Sequence, residues 1–182
     1  ETGVKAVQLL ESDAVWQAGE AGRWSYDLLD AALSRCDSPL GLPEKDGRTR
    51  DLLGTGDLQK LAPNPTAYCI EYTSGLKATL LMLNGAIKDY CFAARLKDQP
   101  DPVSTQFFVT PAPNVDYSAC LVHKIDEMFQ TRKAPFPAKR TLLVSGTLES
   151  CLTSRIQNHQ RLDTPHLNVI YQPPVESQHA RT

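Results

Sequence analysis

The sequence lacks the motifs by which nucleotide-binding and hydrolytic proteins are commonly recognised. Its one candidate for a dinucleotide loop, Gly54-Thr55-Gly56, has no third glycine and no clear strand before it. The glycines of a G-x-G-x-x-G loop are needed because they let the backbone approach a pyrophosphate. The Walker A, G-x-S-x-G and H-E-x-x-H patterns are also absent. We therefore predict no catalytic residue, no metal site and no bound cofactor in this chain.

Excess charge and long apolar runs are missing as well. Lys and Arg number 19 and Asp and Glu number 21, so the net charge is only -2. Such a chain has no basic field that would attract nucleic acid or anionic lipid. No apolar run approaches the roughly 20 residues of a membrane-spanning helix. We expect a cytoplasmic protein with neither nucleic acid nor a membrane as its partner.

Cysteine is present, but its number and spacing do not indicate structural disulfides. An odd number with no C-x-x-C spacing argues against a disulfide framework and against a thiolate zinc site. We expect reduced and mostly buried thiols, because free cysteine behaves as a small hydrophobic residue. The five cysteines are Cys36, Cys69, Cys91, Cys120 and Cys151.

Length and composition indicate one domain. A chain of 182 residues can bury one substantial core. We predict a single α/β domain over residues 1–172 and a flexible tail over residues 173–182. Residues 38–65 are rich in glycine, proline and charge, which predicts a long surface excursion with at most one helical turn. The sequence begins at Glu1, and we expect it to be a piece of a longer polypeptide.

Alternating apolar residues predict the strands. Tyr68, Ile70 and Tyr72 alternate before a Thr-Ser-Gly turn and a second alternating stretch, which together predict a hairpin over 67–83. Further strands are predicted at residues 4–10, 87–96, 105–110 and 167–171. Because the neighbouring strands are joined by short turns, we expect a largely antiparallel sheet.

Helical periodicity surrounds these strands. Ser25 is a favoured N-cap residue for a first helix, whose apolar stripe runs to Cys36. After Asn114 the period changes to about 3.6, and a second long helix follows Pro137, with Val144, Leu148, Leu152 and Ile156 spaced four apart. We expect both long helices to pack on a common apolar surface. The predicted fold is α/β, in the α+β sense, with an open, mainly antiparallel β-sheet and helices packed on one face.

A few side chains suit a ligand, and most of them surround the first predicted helix. Asp30 lies three residues after Asp27, so both carboxylates face one side of that helix. Arg140 lies in the first turn of the last helix, where its guanidinium suits a substrate carboxylate. A solvated surface role is the alternative for these side chains. The predicted substrate-binding residues are Trp16, Tyr26, Asp30, Ser34 and Arg140.

The histidines form no pattern that predicts a catalytic base, since they lie in the tail, on a polar helix side or beside a helix end. A hydrolase with Cys91 or Cys120 as nucleophile is a further alternative. No histidine is placed by the sequence to activate either thiol. The four histidines are His123, His159, His166 and His179.

The last third of the chain resembles a known family. Residues 124–137 (KIDEMFQTRKAPFP) and 141–156 (TLLVSGTLESCLTSRI) are similar to the closing helices of glucose-fructose oxidoreductase/inositol dehydrogenase (Gfo/Idh/MocA)-like proteins. The predicted element order is similar to the C-terminal domain of that family and covers nearly the whole chain. The resemblance implies an open sheet with helices on one face, following a Rossmann domain that would lie upstream of Glu1.

The resemblance also implies where the cofactor would bind. NAD or NADP is expected only if the upstream Rossmann domain exists. The family's helix pattern D-x-G-x-H-x-x-D carries an acid/base histidine, and residues 30–37 (DAALSRCD) match both of its aspartates. Ala32 replaces the glycine and Ser34 the histidine. A serine hydroxyl cannot take up a proton near neutral pH, so this departure argues against dehydrogenase activity.

Two functions from different classes follow. The first is the substrate-side and oligomerisation domain of a Gfo/Idh/MocA-like oxidoreductase, not catalytic alone, which forms a homo-oligomer through its sheet face and closes over a small-molecule substrate. Tyr68, Ile70 and Tyr72 are the expected contributors to that face. The alternative is a stand-alone small-molecule-binding or scaffold protein without enzymatic activity, whose excursion over 38–65 grips a partner.

Overall fold

The computed structural model describes residues 2–36, 52–107 and 115–172, and what was predicted for residues 37–51, 108–114 and 173–182 lies outside this part of the chain. Three helices follow the first strand, four strands come next, and two long helices precede the last strand. The strands are β1 Val4–Glu11, β2 Thr66–Tyr72, β3 Lys77–Met82, β4 Tyr90–Ala94, β5 Val103–Phe107 and β6 Leu162–Asp163. The helices are α1 Asp13–Glu20, α2 Tyr26–Leu33, α3 Asp57–Leu61, α4 Val115–Thr131 and α5 Ala138–Ile156.

The strands form two sheets. Four of them lie in the order β3-β2-β1-β6, and β4 and β5 form a separate pair. Every pairing is antiparallel. The turn between β2 and β3 passes through Gly75 at φ 88°, a left-handed conformation that glycine adopts without steric cost. The α/β fold class with an open antiparallel sheet is therefore confirmed.

The helices cover both faces of the four-stranded sheet. The side chains of β2 alternate, as the pleat requires, so that Ala67 and Cys69 face one cluster and Tyr68 and Ile70 the other. We call the first the α1–α3 cluster; its buried members are Leu10, Val15, Trp16, Ala18, Trp24, Leu29, Leu52, Leu58, Ala62, Ala67, Cys69, Leu83 and Ala86. We call the second the α5 cluster; its buried members are Val4, Val7, Leu9, Leu143, Cys151 and Leu167.

Helix α5 reaches the sheet through small residues rather than through the stripe that periodicity predicts. Its buried side includes Leu143, Ser150, Cys151 and Ser154. A Cβ atom added at Gly146 would lie 2.5 Å from a methyl carbon of Leu167, so a larger residue would require the Leu167 side chain to shift. The predicted stripe lies on the opposite side and is exposed, at Val144, Leu148, Leu152 and Ile156.

The free edge of β1 is closed by the end of α5. Strand β6 pairs only with Ala6 and Val7. Beyond it, the hydroxyl of Ser154 accepts a hydrogen bond from the Leu9 amide (3.1 Å) and donates one to the Gln160 carbonyl (2.5 Å). A side chain thus supplies the pairing that a longer β6 would have supplied.

Two local predictions differ from the structure. Helix α1, Asp13–Glu20, was not predicted. The last strand was expected at 167–171 but is the two-residue β6, because Pro165 starts a 3-10 turn that ends at Leu167. Val169 and Tyr171 pack against the α5 cluster without belonging to a strand. The excursion contains α3, which agrees with the expected helical turn.

Candidate functional site

Two of the predicted substrate-binding residues belong to one aromatic cluster. Trp16 is buried against Trp24, with ring centroids 6.3 Å apart, and Tyr26 packs on the other side of Trp24 at 4.5 Å. Trp24 donates a hydrogen bond from its indole nitrogen to the Val15 carbonyl at 2.9 Å. Burial raises the pKa of Tyr26, and the nearby Glu20 carboxylate adds to the effect. The phenol therefore stays protonated at neutral pH, and its ring packs against Trp24.

The other predicted residues lie at the surface. Asp30 and Ser34 are exposed on α2, one turn apart. The hydroxyl of Ser34 donates to the Ala31 carbonyl at 2.8 Å. Arg140 is exposed near the start of α5, with its guanidinium 4.5 Å from the ring centre of Phe136. Because α5 and α2 pack on opposite faces of the sheet, the structure does not bring Arg140 to the group around α2.

A row of charged residues crosses the α1–α3 face of the sheet. Glu71 of β2 and Asp163 of β6 both pair with Ala6 of β1, so the three side chains lie in one line. Arg161 spans this line, with N–O distances of 2.7 and 3.0 Å to Glu71 and 2.7 Å to Asp163. Hydrogen bonds from Arg161 hold the pKa of Glu71 below its usual range. Arg161 binds one carboxylate on β2 and one on β6. Because β1 lies between those two strands, the guanidinium links the three strands.

We expect the Glu71–Arg161 pair to make stability depend on pH. A carboxylate whose pKa is lowered by folding stabilises the fold above its unfolded pKa of about 4.3 and loses that contribution as pH falls through the lower folded value. Glu71→Gln should therefore lower the melting temperature at pH 7 and have a smaller effect at pH 3. Thermal unfolding at both values tests this, with Glu149→Gln as the control. An equal effect of Glu71→Gln at the two pH values would contradict the assignment.

Next to this row lies a small polar depression that sequence reasoning missed. Its cationic side chains come from Arg23, after α1, and from Lys77 of β3, while Cys69 and Thr79 form part of its floor. Burial raises the pKa of Cys69, so its thiol remains protonated and is no nucleophile at neutral pH. The Glu71 carboxylate also lines the depression, where it is held by Arg161, so Arg23 and Lys77 are the cationic groups available to a small anion. The β alternation places Cys69 beside Thr79, but no local signal connects either residue with Arg23.

A second buried thiol, that of Cys151, is equally unsuited to nucleophilic chemistry. Burial raises the pKa of Cys151 to about 11, so the reactive thiolate is scarce at neutral pH. His159 lies with Nδ1 3.0 Å from the Leu9 carbonyl oxygen, and His166 with Nε2 3.4 Å from the Ser150 hydroxyl. These contacts fit the helix-end positions that the sequence indicated for both histidines.

An apolar surface lies on the side of the sheet that faces α5. Residues of β2 and β3 that point to this side pair in register, Tyr68 with Leu80 and Ile70 with Ala78. Leu80 is 53% exposed and Met82 41% exposed. We call this surface the β2–β3 face, formed by Tyr68, Ile70, Tyr72, Ala78, Leu80 and Met82. Among the described strands β3 is at the edge of its sheet, so a further strand could pair with β3 beside this face.

Within residues 2–36, 52–107 and 115–172, no cluster of His, Cys, Asp and Glu could hold a metal ion. None of the helices in this same part of the chain combines the length and the apolar character needed to cross a membrane. Comparison of the chain with protein-family models, with curated proteins and with solved structures found no match.

Proposed function

We propose that this chain is the substrate-side and oligomerisation domain of an oxidoreductase-like protein and is not catalytic by itself. The observation that carries the assembly part is the β2–β3 face, where two large apolar side chains of an edge strand are half exposed. The oxidoreductase part depends on the family resemblance of residues 124–137 and 141–156. We further place the domain in the cytoplasm, because its cysteines form no disulfide framework.

The proposed occupant of the β2–β3 face is a second copy of the same chain. All six residues of the face are uncharged, so two copies meet without like-charge repulsion. A two-fold axis brings identical antiparallel strands together and makes one surface its own complement.

The substrate side of the proposal rests on the depression between Arg23 and Lys77. Both side chains are cations. The depression and the aromatic cluster of α1 and α2 lie on the same face of the sheet. A small molecule with a carboxylate would pair there with Arg23 and Lys77, while the Glu71 carboxylate of the same depression is paired with Arg161. NAD or NADP is expected only if a Rossmann domain accompanies this one, as the family resemblance implies.

Substitution of Leu80 tests the assembly. We expect the wild-type chain to be a dimer and Leu80→Lys to be a monomer at the same concentration, because dimer formation would bury two lysine charges in an apolar interface. Light scattering coupled to size exclusion gives the mass directly. The matched control is Leu96→Lys, since Leu96 is exposed to a similar degree (44%) but lies after β4, outside the β2–β3 face.

The outcomes are separable. A monomeric wild type over the whole accessible concentration range would contradict the proposal and favour a stand-alone binding protein. A dimer that survives Leu80→Lys and dissociates on Leu96→Lys would place the interface on the β4–β5 pair. Circular dichroism of each variant confirms that the fold is retained, since both positions are solvent-exposed and tolerate a polar side chain.

A further inference from the structure

Two cysteines from distant parts of the sequence meet between α2 and the β4–β5 pair. The Sγ atoms of Cys36 and Cys91 lie 3.1 Å apart, although 55 positions separate the two residues. Cys36 follows the C-terminal end of α2 and is 7% exposed, whereas Cys91 lies on β4 and is partly exposed. A disulfide has an S–S distance of about 2.05 Å, so the two sulfurs need to approach by only about 1 Å.

The surrounding contacts hold the two elements in register. Arg35 donates a hydrogen bond from Nε to the Ser104 hydroxyl of β5 at 3.0 Å. On the same side, Arg95 lies 3.6 Å from the Asp27 carboxylate of α2. Contacts near Cys36 and near the end of β4 thus fix α2 and the strand pair to each other. The approach of the thiols accompanies the packing of α2 against β4 and β5.

We propose that Cys36 and Cys91 are a reversible thiol–disulfide site that a small-molecule disulfide, such as glutathione disulfide, oxidises. The Cys91 thiolate, which is the more accessible, attacks one sulfur of the glutathione disulfide and releases one glutathione thiolate, which takes up a proton. Cys36 then loses its proton to solvent and attacks Cys91 Sγ, breaking the mixed disulfide and releasing the second glutathione. Two protein thiols are oxidised by two electrons, and one disulfide is reduced to two thiols.

A Cys36–Cys91 disulfide would attach the β4–β5 pair more firmly to α2. A two-stranded sheet is marginally stable by itself, and β4 and β5 pair only with each other among the described strands. A link from Cys91 to Cys36 would fasten them to the helix that carries Asp30 and Ser34. Oxidation is therefore expected to protect the strand pair from local opening without changing the rest of the fold.

The test is oxidation of the reduced, folded chain with glutathione disulfide, followed by trapping of free thiols and peptide mapping without reductant. We expect the linked Cys36–Cys91 peptide pair to be the main product. It should form at least about tenfold faster than in the urea-unfolded chain, because the fold holds the thiols together. Tryptic cleavage after Arg95 and Lys97 should be slowed about tenfold in the oxidised form.

Two variants complete the experiment. Cys120→Ser should oxidise as the wild type does, whereas Cys36→Ser should keep glutathione on Cys91 and gain no protection from trypsin. A wild type that holds glutathione on Cys91 without forming the link would overturn the proposal. So would a link that forms no faster in the folded than in the unfolded chain. Because the wild-type map decides between these outcomes, the test does not depend on either variant folding.

Discussion

Replacement of Trp24 by alanine is expected to lower the free energy of unfolding by about 3–5 kcal/mol. The indole is 7% exposed and lies between Trp16 and Tyr26, so its removal leaves a cavity bounded by two aromatic rings. It also leaves the Val15 carbonyl without its indole donor. Urea unfolding followed by circular dichroism measures the change.

A second substitution at Trp24 separates the contribution of packing to stability from that of the hydrogen bond. Trp24→Phe keeps an aromatic ring but loses the indole N–H, and we expect it to cost less than Trp24→Ala. A Cβ atom added at Gly19 would lie 2.5 Å from the Trp24 ring, so the indole lies directly on the helix backbone at this glycine. Tyr90→Ala, at a residue that is 65% exposed, serves as the surface control and is expected to change stability by less than about 0.5 kcal/mol. Equal losses at Trp24 and Tyr90 would contradict this account of the core.

Removal of the Ser154 hydroxyl is expected to have the next largest effect. Ser154 is fully buried and bonds both the Leu9 amide and the Gln160 carbonyl. In Ser154→Ala the buried Leu9 amide loses its acceptor, which costs about 1–3 kcal/mol, and the carbonyl of the exposed Gln160 loses a donor. Amide hydrogen exchange should also become faster at Leu9, because its hydrogen bond is the one removed.

The neighbouring residue supplies a matched control. Thr153 lies one position earlier on α5 and bonds Glu149 at the surface. Thr153→Ala removes a hydroxyl from the same helix turn without uncovering a buried group, and we expect a loss of less than about 0.5 kcal/mol. If Ser154→Ala were as mild as this control, the hydroxyl would not be closing the edge of β1.

The candidate site was harder to predict from the sequence than the fold, because its contacts depend on long-range packing. Alternation along 67–83 predicted β2 and β3 because the pleat repeats every two residues whatever surrounds it. The bonds of Arg161 to Glu71 join residues 90 positions apart, and no local period relates them. The same holds for Arg23 beside Lys77 in the depression. Asp30 and Ser34 were correctly placed on one helix, but their exposure could not be deduced from its periodicity.

Helix α5 shows most directly why a pattern can predict an element and mistake its orientation. The apolar stripe through Leu148 and Leu152 predicted a helix there, and the helix exists. Its opposite side is buried, because Gly146 lets the backbone come close to Leu167 and Ser154 bonds the edge of β1. The close packing and the hydrogen bonding of this side decided which side of α5 is buried, against the apolar area of the stripe.

The sequence by itself determined the fold class, the hairpin of β2 and β3 and both long helices, since each depends on a repeat of two or about 3.6 residues. It also determined the absence of a dinucleotide loop, which is a local motif. Only the tertiary structure decided which sides of the helices are buried, that helices cover both sheet faces, and that Cys36 meets Cys91. Those outcomes depend on which distant surfaces fit together, and a one-dimensional period carries no information about that fit.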